Sequence, residues 1–124
     1  MLHSTGAMTK AERERISAML VLGCVACASL GIPNGRHIQV HHLLEGNRRM
    51  GHNFTIPLCQ QHHLGYGWNE LWGVIPSECQ VSIADGRKAW VRVYPSERVL
   101  WERVQDRLHL PKIWPDSKIL PRVV

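Results

Sequence analysis

No stretch of this 124-residue sequence reaches the roughly 18 apolar residues that a membrane span needs. The opening segment, MLHSTGAMTKAERER, has no apolar core of the kind a secretory signal carries. Internal repeats and low-complexity tracts are missing as well. A membrane-spanning helix and a repeat array are therefore excluded, and the expected location is the cytoplasm. Aromatic residues are scarce, at 6% with a single Phe, so a domain of this size gains much from a staple other than its core. Acidic side chains are the minority sign: 10 Asp and Glu stand against 15 Lys and Arg, and the net +5 favours a polyanionic partner. Hydrophobic residues at 44% and charged residues at 20% exclude disorder throughout.

What the chain has in quantity is metal-binding chemistry, with eight His and four Cys. In a reducing compartment such cysteines are metal ligands before they are disulfides. Cys24-x2-Cys27 is one zinc half-site, because a two-residue spacer lets both thiolates face one tetrahedral ion from a tight turn. Cys59-x2-His62 repeats that spacing further along. Together they make a Cys3His set, a closed ligand shell and hence a structural zinc. A second set comprises His41, His42, His52 with Asn53, and His63. Neighbours on a strand point to opposite faces, so His41 and His42 divide two tasks rather than share one ion. His62 and His63 diverge by about 100° on a helix, so one serves the zinc while the other faces a different site. Two metal centres fit this pattern better than one. Cys79 has no partner and reads as a buried apolar residue.

The coarse organisation is an arm over 1–8, a domain over 9–109 and an extended, proline-containing tail over 110–124. Thr9 and Glu12 form a capping box for a helix with Ile16, Met19 and Leu20 on one face, which Gly23 stops. Residues 37–42 alternate as a short strand, 43–53 read as a loop, and Phe54–Leu58 as a second strand. Cys59 opens a helix weakened by Gly65 and Gly67, which completes a ββα unit. Residues 68–84 carry no clear pattern. Asp85 and Ser96 are candidate caps of two later helices, the first burying Trp90, Val93 and Tyr94 and the second Val99, Leu100, Val104 and Leu108. Trp68 and Trp72 either pack in the core or stack on unpaired bases.

The order Cys-x2-Cys, His-His at a strand end, Asn, then Pro-Leu-Cys-x2-His-His resembles the HNH (ββα-metal) endonucleases that carry a zinc ribbon. The run HHLLEGNRRMGHNFTIPLCQQHH is similar to the phage recombination-enhancement nucleases, which are RecA-dependent HNH enzymes. The likeness is good over 24–67 and loose over SIADGRKAWVRVYPSERVL. It implies a small metal-stapled α+β domain, a ββα-metal core with flanking helices over 9–109. It also implies phosphodiester hydrolysis in DNA, a structural Zn2+, a catalytic Mg2+ or other divalent ion, and a RecA-type recombinase filament as partner in a host bacterial cytoplasm.

Position by position, the resemblance implies His41 as the first catalytic-metal ligand, His63 as the ligand from the helix and His42 as the general base. An ordinary histidine pKa near 6.5 suits that last role. The middle position, which orients the base, is Asn53 by residue type, the choice its chemistry favours, or His52 by its distance from Cys59. Many HNH sites have a second helix ligand four residues after the first; Gly67 stands there, with Asn69 nearby. Arg48 and Arg49, between the two strands, are candidate phosphate contacts, or else solvated charges. Arg87, Lys88 and Arg92 read as a solvated helix face. A different class, a zinc-stabilised DNA-binding or protein-interaction module without catalysis, draws support from Gly67.

Overall fold

Helix α1 (Lys10–Val21) begins where the Thr9 hydroxyl accepts from the Glu12 amide and the Glu12 carboxylate accepts from the Thr9 amide. It ends at Leu22, and Gly23 follows at φ +85°. A Cβ at Gly23 would lie 2.6 Å from the Asn34 carbonyl oxygen, so only glycine allows this approach. The Cys24 amide donates to that same oxygen at 2.8 Å, and the Cys24 thiol caps α2 (Val25–Ser29). Both cysteines of the first half-site therefore sit on one tight corner.

Strand β1 (Ile38–His42) pairs antiparallel with the strand named β4 (Thr55–Cys59), in a register from Ile38 opposite Cys59 to His42 opposite Thr55. Between them, β2 (Leu44–Glu45) and β3 (Arg48–Arg49) form a second small sheet. The expected loop over 43–53 is thus a hairpin in part. Gly46 and Asn47 both take positive φ, the conformation a tight two-residue turn requires. The first strand begins at Ile38 rather than His37, because His37 is left-handed at φ +53°.

Helix α3 (Gln60–Leu64) follows β4 directly, and Gly65 closes it at φ +93°. Short helix α4 (Trp68–Trp72) and turns at Ser77–Cys79 and Ile83–Asp85 occupy the stretch without a clear pattern. Asp85 is not a helix N-cap: its carboxylate accepts from the Ser82 amide, and Gly86 precedes α5 (Arg87–Trp90). Ser96 does cap the long helix α6 (Glu97–Leu108), accepting from the Val99 amide. Its buried face is Leu100, Trp101, Val104 and Gln105, one step round from the expected stripe.

The computed structural model describes residues 6–115, a small α+β fold with α1 and α6 packed against β4. The arm expected over 1–8 and the tail expected over 110–124 lie partly outside the described residues. Every residue of β4 is buried, and its Ile56 and Leu58 share one core cluster with Met19, Trp90, Leu100, Trp101 and Val104. Residues 110–115 fold back: the Pro111 carbonyl accepts from Gln105, and the Trp114 ring meets Trp101 at 5.2 Å. Among the described residues no helix is long and apolar enough to cross a membrane.

One core residue is a cation. Arg15, 6% exposed, has no carboxylate partner among the described residues; it donates to Thr55 Oγ1 at 2.8 Å, Thr55 O at 3.1 Å and Gln105 Oε1 at 2.9 Å. Burial lowers its pKa to about 10, so it stays charged at neutral pH. The guanidinium ties α1 to β4 and α6 in a single contact set. Replacing Arg15 by Met, which keeps the aliphatic volume, is expected to destabilise the fold by about 2 kcal/mol, because Thr55 O and Gln105 Oε1 lose a buried donor. Urea unfolding measures this, and a change below about 0.5 kcal/mol would show that the clamp is unimportant.

Candidate active site and metal centre

The four residues of the two half-sites meet. Nδ1 of His62 lies 3.4 Å from Cys24 Sγ, 3.4 Å from Cys27 Sγ and 3.3 Å from Cys59 Sγ, and Cys27 Sγ to Cys59 Sγ is 3.9 Å. A tetrahedral zinc with ordinary bond lengths has S···S edges of about 3.8 Å and S···N edges of about 3.6 Å. The donor set fits that ion in chemistry and in size. All four side chains are buried, and burial pushes the Cys24 thiol up to about 12, a state that only a bound cation makes favourable to ionise. Asn34 Nδ2 donates to Cys27 Sγ at 3.4 Å, a support that the spacing of the half-sites does not disclose. The other ring nitrogen of His62 is buried without a hydrogen-bond partner, and the Tyr94 ring stands edge-on to the imidazole at 5.0 Å. Cys79 is buried apart from this group, its thiol raised to about 11 by burial.

Four further histidines form two pairs at the far end of β1. His41 meets His63, with ring centroids 5.3 Å apart, and His42 meets His52 at 5.4 Å. This divergence of neighbours is what the strand pleat requires. His41, His63, Glu97, Arg87 and Leu44 line a cavity of about 300 Å3. His41 Nε2 lies 2.7 Å from Glu97 Oε2, and Arg87 Nε donates to Glu97 Oε1 at 3.2 Å. Desolvation opposes the charge on Glu97, but its hydrogen bond from His41 and the Arg87 charge outweigh this and hold its pKa below the ordinary value. The sequence reading missed Glu97, and it treated Arg87 as a solvated charge. Neither lies within 30 residues of the histidine it serves, so no local spacing could have marked them.

On the other face the hydrogen bonds run in series. His52 Nε2 donates to the Gly6 carbonyl at 2.9 Å, which leaves Nδ1 of a neutral His52 as an acceptor. His42 Nε2 then donates to His52 Nδ1 at 3.2 Å, and His42 keeps its lone pair on Nδ1. Burial, then the charge of Arg49, then the neighbouring imidazoles pull the His42 pKa down to about 4. His42 is therefore neutral across the ordinary pH range.

Of the two candidates for the middle position, His52 is buried against His42. Asn53 is exposed, and its backbone carbonyl accepts from Trp101 Nε1 at 2.8 Å. Arg48 and Arg49 project from the exposed β3, and Arg49 is near enough to act on His42. Position 67 is not on a helix, since α3 ends at Leu64 and Gly67 adopts φ +107°. Asn69 lines a different cleft, with Gln61, Tyr66 and Glu70. Trp68 is buried, whereas Trp72 is 38% exposed beside it. Among the described residues, the Cys3His group is the one set of three or more metal donors already drawn together.

A family model described as recombination enhancement, RecA-dependent nuclease matches residues 8–109, which include every candidate site residue. No curated protein matches the chain.

Purified protein is expected to carry about one tightly held zinc per chain, because three thiolates and an imidazole bind it. Cys24→Ser and Cys59→Ser should each lose the metal and the cooperative thermal transition, read by elemental analysis and calorimetry. A zinc-free Cys24→Ser protein with an unchanged Tm would refute a structural role for the cluster.

Proposed function

The chain belongs to the family of recombination-enhancement, RecA-dependent nucleases, and on that premise we propose that it is a metal-dependent HNH DNA endonuclease. In this reading β1, β4 and α3 are the ββα-metal unit, and the Cys3His group holds a structural zinc that staples it. The observation that carries the reading is the series His42–His52–Gly6, which leaves one lone pair, on His42 Nδ1, in a neutral and partly buried imidazole. An imidazole so held is a general base with a fixed direction. It takes a proton from the water that attacks the phosphodiester. His52, rather than Asn53, orients that base.

His41 and His63 are the residues that would hold the catalytic divalent cation, each offering one ring nitrogen to the shared cavity. Mg2+ or a similar ion held there would supply charge neutralisation at the scissile phosphate and its leaving oxygen. Two imidazoles are a sparse ligand set, so water and phosphate would have to complete it and the affinity of the free enzyme for such an ion would be low. Arg48 and Arg49 sit on a hairpin whose strands are two residues long, and hold backbone phosphates beside His42. Such contacts carry no sequence information, which suits recruitment by a RecA-type filament on DNA.

A second reading, a zinc-stabilised DNA-binding module without catalysis, is favoured by one observation: no helix ligand stands at position 67. The same variants separate the two. His42→Ala should lower cleavage roughly a hundredfold or more, with zinc content, Tm and DNA affinity close to wild type. His63→Ala should also abolish cleavage, yet recover part of it at high Mg2+ or Mn2+, whereas no metal concentration should restore His42→Ala. His52→Ala should fall well below Asn53→Ala. The assay is nicking of supercoiled plasmid across a metal titration, with recombinase-coated single-stranded DNA in parallel. Equal activity of wild type and His42→Ala would remove the HNH mechanism, and wild-type protein silent in every condition would favour the binding module.

A further inference from the structure

The hydrogen bonds behind His41 and His63 determine which ring nitrogen each can offer. A carboxylate oxygen only accepts, so at 2.7 Å from Glu97 Oε2 it is His41 that donates, through Nε2–H. Glu97 is itself held at its other oxygen by Arg87 Nε, and Arg87 Nη2 donates onward to the Leu44 carbonyl at 2.7 Å. The carboxylate is thus braced from both sides, with its side chain 12% exposed. On His63, Nδ1 lies 2.6 Å from Gln39 Oε1, and an amide oxygen likewise only accepts. Gln39 stands two residues before His41 on β1, so the strand pleat puts both on one face. Each of the two histidines therefore has one nitrogen committed to a fixed acceptor and the opposite nitrogen left with a lone pair.

We infer that Glu97 and Gln39 are positioning residues that fix the tautomers of these histidines, so that His41 presents Nδ1 and His63 presents Nε2 to a divalent cation. This rests on the preceding reading of His41 and His63 as the cation's holders. The physical need is specific to this site. With two imidazoles and no further helix ligand, affinity depends on each ring arriving in the right tautomer and orientation. A free imidazole would otherwise spend part of its population with the proton on the liganding nitrogen. A carboxylate behind a ligating histidine also makes the ring a stronger donor. Glu97 acts here on His41 through its hydrogen bond, with Arg87 limiting where its carboxylate can swing.

The test uses the zinc-loaded chain with 15N-labelled histidines. Long-range 1H–15N correlation spectra in alkaline buffer, without DNA or added divalent metal, should show His41 as the Nε2–H form and His63 as the Nδ1–H form. Calorimetric titration with Mn2+ should then show Glu97→Leu and Gln39→Leu binding roughly 10- to 100-fold more weakly than wild type. Glu97→Gln, whose amide oxygen still accepts from Nε2–H, should keep the His41 tautomer and stay within a few-fold of wild type. The opposite tautomer at His41 or His63 would overturn the inference. So would a Glu97→Gln loss as large as that of Glu97→Leu, since the carboxylate would then act by charge or as a ligand itself. Expected tautomers in a wild-type chain that binds no Mn2+ would instead overturn the reading of His41 and His63 as cation holders, a failure distinct from that of the tautomer assignment.

Discussion

A buried group of three thiols and an imidazole is the constraint on which the rest of the molecule hangs. Cys24 and Cys27 come from the corner after α1, Cys59 from the last residue of β4, and His62 from the first turn of α3. One ion held by these four atoms would tie three elements together. The consequence for the site is rotational. Once His62 points into the cluster, its neighbour His63 must leave the helix about 100° away, and that direction brings it to His41 on β1. The Cys3His group thus sets the aim of a residue in the other group.

A second theme is how charge is handled where water is scarce. Arg15 lies in the core with hydroxyl, carbonyl and amide oxygens around it instead of a carboxylate. These neutral oxygens accept from the guanidinium and hold Thr55 in place. Thr55 Oγ1 in turn donates to the His52 carbonyl at 3.0 Å. The clamp that joins α1 to β4 and α6 therefore also steadies the residue against which His42 is set. On the opposite face, Glu97 and Arg87 form an ion pair directed at His41. Each member of the His41–His42 pair has its own support, drawn from different parts of the chain.

Much of this was legible in the residues before any coordinates. The capping box at Thr9, the two half-sites, the strand ending in His41-His42 and the cap at Ser96 all follow from spacings of a few residues, where backbone geometry leaves little choice. The short hairpin was readable too, since Gly46-Asn47 is a turn dipeptide, but its strands of two residues are too brief to show alternation. Asp85 was misread because a single acidic residue before a basic run can serve the preceding turn as well as the following helix.

The sequence by itself determined the chemistry of the molecule: which atoms can bind metal, which imidazoles share a strand, and that neighbouring ligands must diverge. Those properties are local, set by side-chain type and by the fixed periods of strand and helix. Only the tertiary structure decided who stands behind each histidine. Glu97 reaches His41 across 56 residues, Gly6 reaches His52 across 46, and Arg15 reaches Gln105 across 90. No periodicity encodes such meetings, because they follow from how α1, α6 and the sheet pack once the core closes. The choice between His52 and Asn53 as neighbour to His42 belongs to the same class. Adjacent residues in an irregular loop differ little in sequence terms, and it is a hydrogen bond from Trp101 Nε1 that holds the Asn53 carbonyl while His52 is buried.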